Sequence, residues 1–459
     1  MILSFSISVF LIQDTYAASL NIESEEGCNS IGGVWTSDDT NVCSIVSLTI
    51  TNLLDIGIPM NTTLKVGGIL NVTQSDALLA IGTGGNLIVE SAGTLETHGN
   101  VFNSGTVINN GSIESNDELT NKPNGILGNN GIISINSGGF LASETGSITN
   151  NNFGGIININ SGGTYTSDGY STNSGTINNS WQFISGNMTN NNSGVILNNA
   201  GHITAGRDFI NDGEITNLSG CTLPTNSVDN FSTFGNFINN GVVTNQANCI
   251  LDIKANFVFN FTNNGIVHND LGILKVNNYI YNLGTLNNTG SLTNTYIINN
   301  NSTGLIINNG TLSNQSLRTI DNDGIIKNYK TITNGGTINN KNSALLDNFD
   351  FINNLSTITN SGTINNQCNA VIQNNQPTGN PVNNIACPGP CAPPVSGDWI
   401  VTSSCTLSTS SAAPADVIVQ NGVVLTIPNS MTLDIDFANF NLTVESGSGV
   451  LIKQGGTIT

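Results

Sequence analysis

Between residues 103 and 366 a seven-residue pattern, N-x-G-x-[IVL]-x-N, returns again and again, with its glycine at Gly105, Gly175, Gly194, Gly213, Gly241, Gly265, Gly284, Gly310, Gly324, Gly336 and Gly362. Most copies are separated by about 19 to 28 residues, the length of one coil in a repeat array. Asn stands two residues before and four residues after each glycine, and Val, Ile or Leu two residues after it. Side chains of a strand alternate between its two sides, so this period of two puts Asn, Gly, aliphatic and Asn on one face. The residues between them, such as Asp212, Glu214 and Thr216, are mostly polar and fall on the other. An amphipathic helix needs apolar residues at three- and four-residue spacing, and the pattern excludes it.

Stacking such strands at about 4.8 Å builds an all-β parallel β-helix, or β-solenoid, whose aliphatic residues form one continuous column of core. The Asn positions then form ladders, each amide donating to one rung and accepting from another. Asn179, Asn198, Asn217, Asn245, Asn269 and Asn288 are expected to make one such ladder. The glycines are expected at corners too crowded for a side chain. This arrangement explains how a chain that is about a sixth Asn and only 9% charged can fold, because buried amides satisfy one another. Threading of Ile, Leu and Val through the Asn separates the chain from a disordered Asn-rich tract.

The formal net charge of -20 argues against nucleic acid as a partner, since phosphate backbones are held by Lys and Arg. Only two arginines occur, Arg207 and Arg318. Residues 1–18 read as a signal peptide, an apolar stretch followed by Ala17, Ala18 and Ser19, although no positive segment precedes it. Export and an extracellular or cell-surface location follow as expectations, with no membrane span after the signal.

Residues 19–45 hold Cys28, Gly32, Gly33, Trp35 and Cys43, a cluster expected to form a cap closed by a Cys28 to Cys43 disulfide. The Asn-rich solenoid is assigned to 46–376, its first coils richer in Leu and Val. Cys221 and Cys249 each lie eight residues after a motif glycine, so they are expected on neighbouring rungs, as a disulfide or as two core thiols; the same offset gives Ile273 and Leu292. A stretch rich in Pro from 377 to 396 reads as a stiff linker, because proline cannot donate to a central ladder. Within it, Cys387 and Cys391 are disulfide candidates; with Cys368 and Cys405 they could instead be read as four metal thiolates. Short strands at near-regular spacing over 397–459 read as a C-terminal β-rich, solenoid-like module whose last rung, uncapped, would leave an edge for self-association.

The repeats of about residues 90 to 375 resemble the parallel β-helix stalks of filamentous haemagglutinin-type and autotransporter adhesins, where G-x-I-x-N-like coils recur. The resemblance implies a solenoid and is compatible with adhesion. The C-terminal W-x-V-x-x-x-C-T-L (399–407) and A-P-A-x-V-I-V-x-N (413–421) stretches resemble secreted proteins of ammonia-oxidising archaea.

No nucleophile elbow, P-loop, H-E-x-x-H or calcium nonapeptide repeat is present, and no cofactor is expected. His98, His202 and His268 are widely separated and read as surface residues. The enzymatic alternative is a polysaccharide lyase or glycoside hydrolase, for which Asp321 with Asp323, Asp434 with Asp436 and Asp347 with Asp350 are candidate carboxylate pairs. A third reading is an ice- or carbohydrate-surface binder using outward threonines such as Thr176, Thr285, Thr311, Thr337 and Thr363. Among the N-x-[ST] sequons, Asn187 and Asn230 are better glycosylation candidates than ladder residues such as Asn217. The leading expectation is a structural or adhesin-like repeat protein whose partners are cell-surface or matrix polymers, bound by repeated weak contacts.

Overall fold

A computed structural model describes residues 19–37, 41–51, 55–199, 201–218, 231–233, 236–253, 260–386 and 389–459. The signal-peptide region, Cys221, Asn230 and Cys387 lie outside the described residues.

A typical coil of the main solenoid is made of three short strands joined by tight corners, although a few strands, such as Thr62–Val72 and Thr164–Asn173, run on through two faces. One coil reads Ile297–Asn300, Leu305–Asn308 and Thr311–Asn314, and the next strand, Thr319–Asn322, lands in register on the first. We call the three resulting faces A, B and C in that order. Face A stacks by parallel pairing from Thr106–Asn109 up to Thr357–Asn360. In a typical strand such as Tyr279–Asn282 the second and fourth residues are buried and the first and third are half-buried. The alternation read from the sequence therefore holds, with Asn and aliphatic side chains inside.

The corners differ from the simple reading of the motif in two respects. Asn239 ends a strand of face A and Val242–Asn245 is the following strand of face B, so N-x-G spans a corner instead of lying within one strand. The motif copies also belong to different corners: Gly175 lies between faces A and B, Gly310 between B and C, and Gly336 between C and A. The physical reason is that all three corners need the same thing. A Cβ on Gly265 would sit 2.1 Å from the carbonyl oxygen of Gly241, and one on Gly284 2.1 Å from that of Gly265. The Asn before the glycine also helps the turn, as where the Gly105 N–H donates to Asn103 Oδ1 at 3.0 Å.

The interior changes along the array. The first coils carry Val66, Val89, Val72 and Ile81 where later coils carry ladder Asn. In the middle, Thr149 and Ser171 replace the aliphatic residue on face A, and Ser143, Ser167 and Ser185 replace the Asn on face C. Tyr165 occupies that space, its hydroxyl 2.7 Å from Ser171 Oγ, while Ser171 donates to Ser167 at 2.9 Å. Above it Phe183, Phe209, Phe237 and Phe261 supply the volume. Burial pushes the Tyr165 phenol above its ordinary value, partly offset by hydrogen bonds from Ser171 and its neighbours. Its stabilising contribution is complete below pH 10 and is lost as pH rises through the elevated folded value, because only the unfolded chain ionises freely at 10. Tyr165→Phe should flatten the alkaline fall in thermal midpoint, read by circular dichroism across pH 9 to 12.

The N-terminal end is closed by Ser19–Asn21, the helix Glu25–Ser30 and Val34–Thr36, which pairs antiparallel with the first long strand, Asn41–Ile50. Cys28 and Cys43 are joined, with Cα atoms 5.6 Å apart. Gly33 is required beside them, since a Cβ there would lie 2.6 Å from both sulfurs. Removing the bridge by Cys28→Ser with Cys43→Ser should cost about 3 kcal/mol in urea unfolding, from the entropy of its 15-residue loop.

The chain divides into two compact units, the first made mainly of residues up to 364 and the second mainly of residues from 382. The proline-rich stretch is not without strands: Thr378–Gly379 pairs with Thr359 and Asn360, and Gly389–Cys391 pairs with Cys405–Leu407. The second unit is itself a small three-faced parallel solenoid around Trp399, Val401, Leu407, Val417, Leu425 and Leu433. Cys391, one of the disulfide candidates, bonds to Cys405, which the alternative four-thiolate reading counted as a metal ligand. Parallel stacking is the cause, as it brings Gly389–Cys391 alongside Cys405–Leu407. Cys249 and Cys368 are also disulfide-bonded.

Candidate interaction surface

Three amide ladders organise the inside of the first unit and leave the outside free to vary. On face A a hydrogen-bonded series runs from Asn109 through Asn129, Asn151, Asn173, Asn190, Asn211, Asn239, Asn263, Asn282, Asn300, Asn322 and Asn340 to Asn360. On face B, Asn179, Asn198, Asn217, Asn245, Asn269 and Asn288 are linked in turn at 2.7 to 2.9 Å, and the series continues through Asn308 and Asn328 to Asn348. Face C adds Asn294, Asn314, Asn334 and Asn354. Each amide does more than bond its neighbour: Asn300 Nδ2 donates to Asn322 Oδ1 at 2.7 Å and to the Ile325 carbonyl at 3.0 Å. Each satisfied bond contributes about 1 kcal/mol, and leaving one unmade inside costs more. One expected inward residue is not inside. Asn192 is exposed, and Asn190 takes the ladder position because the corner before Gly194 is longer there.

The cysteine register also shifts by one. Cys249 is buried, but Ile273 pairs with Ile250, while Leu251, Leu274 and Leu292 form one column. The threonines named as a possible flat row are scattered: Thr176, Thr285 and Thr363 begin strands of face B, Thr311 one of face C and Thr337 one of face A.

The candidate carboxylates are engaged locally. Lys341 Nζ lies 2.9 Å from Asp323 and 3.9 Å from Asp321, and Asn339 donates to Asp321 at 2.7 Å. Hydrogen bonding to Asp323, reinforced by the charge of Asp321, raises the Lys341 ammonium above its usual value despite partial burial. Asp436 holds a turn through the Ala438 N–H and Asn439, and Thr459 donates to Asp434. Asp347 is stacked on Lys327 of the neighbouring rung. His268 projects from the outer side of face B beside Asn287. Among the described residues no group of three His, Cys, Asp or Glu side chains could hold a metal ion, and no helix is long and apolar enough to cross a membrane. Asn187 lies on the outer side of its strand, half-buried, whereas Asn217 is buried.

Sequence reasoning missed an aromatic grouping on the outer side of face A. Tyr279 and Tyr281 stack at 6.1 Å, Tyr296 meets Tyr279 edge-on at 4.9 Å, and the Arg318 guanidinium lies 5.9 Å from the Tyr296 ring. A second pair, Tyr329 with Phe349, stacks at 4.5 Å on the corner between faces B and C.

The fold is that of a parallel β-solenoid repeat protein, stated on its strand pairing and ladders. No protein family matches the chain, and no curated protein does. Among solved structures, a match is the crystal structure of a TibC-catalysed, hyper-glycosylated fragment of TibA, residues 55–350, at 13% identity and a TM-score of 0.27, covering 91% of this chain and 97% of that one. Nothing in these comparisons supports the archaeal resemblance of the C-terminal stretches.

Proposed function

We propose that the protein is a secreted or cell-surface structural repeat protein that acts by display, offering repeated outer faces for adhesion or matrix assembly. The observation that carries this reading is the division of labour within each strand. Among the described residues, inward positions are given over to ladders and aliphatic columns, while outward positions change from rung to rung. Weak contacts repeated along a rigid array gain strength by multivalency. The strongly acidic surface favours neutral or cationic polymers over nucleic acid.

The test is to fractionate cells producing the full chain and to measure retention of beads coated with the purified protein on envelope and matrix material. Surface or secreted location with retention, and no product released from a polysaccharide panel, is the expected result. Residence in the cytosol, or turnover of a polysaccharide, would overturn it.

A further inference from the structure

We propose that the outer side of face A, from Tyr279 to Asn339, is a binding track for an extended neutral polysaccharide; this rests on the display reading above and names its ligand. The tyrosines are not needed for the core at their rungs. Ile280 and Asn282, and then Ile298 and Asn300, are the inward residues and are fully buried. Tyr279 and Tyr281 stand on one strand, and Tyr296 joins them from the corner one coil later. Hydrogen bonding to Tyr296 raises the Tyr279 phenol above its ordinary value. Arg318 continues the platform on the next rung.

Above Tyr281 the same outward position is occupied by Asn299, then Asp321, then Asn339, in register. The rungs repeat at about 4.8 Å, close to the length of one sugar unit in an extended chain. An aromatic face accepts the C–H side of a pyranose, and amides and carboxylates beside it take the hydroxyls. The track is locally balanced in charge, since the two cations Lys341 and Arg318 stand against the two carboxylates Asp321 and Asp323. That balance, within a chain of net charge -20, fits a neutral glycan better than an anionic one.

The full chain is to be measured for retention on cellulose, chitin and mannan and for affinity toward the matching soluble hexasaccharides. Retention on at least one is expected, with a tenfold or greater loss of affinity in Tyr279→Ala/Tyr281→Ala/Tyr296→Ala. Tyr329→Ala/Phe349→Ala, which removes a second aromatic stack outside the track, should bind as the parent. As a check independent of variant folding, saturating hexasaccharide should protect Tyr279, Tyr281 and Tyr296 from nitration, mapped by mass spectrometry, and leave Tyr170 reactive. Absence of retention on all three polymers, equal binding by the triple variant, or no protection of the three tyrosines overturns the track. If the triple variant adheres to envelope material as well as the parent does, the track fails while the display reading stands.

Discussion

Asn190→Asp is expected to destabilise the solenoid by about 3 to 5 kcal/mol, whereas Asn192→Asp, two residues away, should change stability by no more than about 0.5 kcal/mol. Asn190 is fully buried, and its Nδ2 donates to Asn211 Oδ1 at 2.7 Å, to the Gly194 carbonyl at 3.1 Å and to the Glu214 carbonyl at 3.2 Å. A carboxylate there turns three attractive contacts into three oxygens facing oxygen, with no solvent to screen them. Asn192 is exposed and lacks those partners. Urea unfolding followed by circular dichroism compares the two. The buried Asp should also be held protonated well above its ordinary range, so acidification should recover part of the loss in Asn190→Asp and none in Asn192→Asp. Because repeats contact only their neighbours, the transition of the damaged chain should broaden or split as coils on either side of residue 190 separate in stability.

Gly265→Ala should cost about 3 kcal/mol, near the upper end for forcing extra atoms into a packed site. The added methyl would meet the Gly241 carbonyl oxygen at 2.1 Å and the Asn240 carbonyl oxygen at 2.6 Å, both backbone atoms that cannot swing aside. Relief would require spreading two coils and losing the ladder bond between Asn239 and Asn263. Gly67→Ala is the matched control. Its nearest neighbours would be 3.6 and 3.7 Å away, so it should be neutral or gain slightly from the reduced freedom of the unfolded chain. Equal thermal midpoints for the two variants would contradict the crowded corner.

The alternation of Asn and aliphatic residues was legible from the sequence because a period of two is set by local geometry alone, and the buried ladder from Asn179 to Asn288 follows from it. What was not legible depends on corner length. N-x-G serves at all three corners, so copies from different faces look alike, and a longer corner moves the inward role from Asn192 to Asn190. The same dependence hides the meeting of Tyr296 with Tyr279, which needs the length of that one coil. It also hides the partner of Cys391, which is Cys405 because the two strands that carry them are neighbours across rungs.

The offset between ladder and corner bears on how the protein ages. Asparagine is lost chemically when the nitrogen of the following residue attacks its side-chain carbonyl, a ring closure that glycine in second place makes easiest and that burial opposes. Asn110, Asn130, Asn240, Asn264 and Asn309 each precede a glycine, and each is exposed, one residue beyond a ladder member. Slow deamidation should therefore deposit negative charge along the rim while the amides inside stay intact. Asn334 is the ladder residue, among those described, with glycine directly after it, and the first internal lesion in an old sample should be found there.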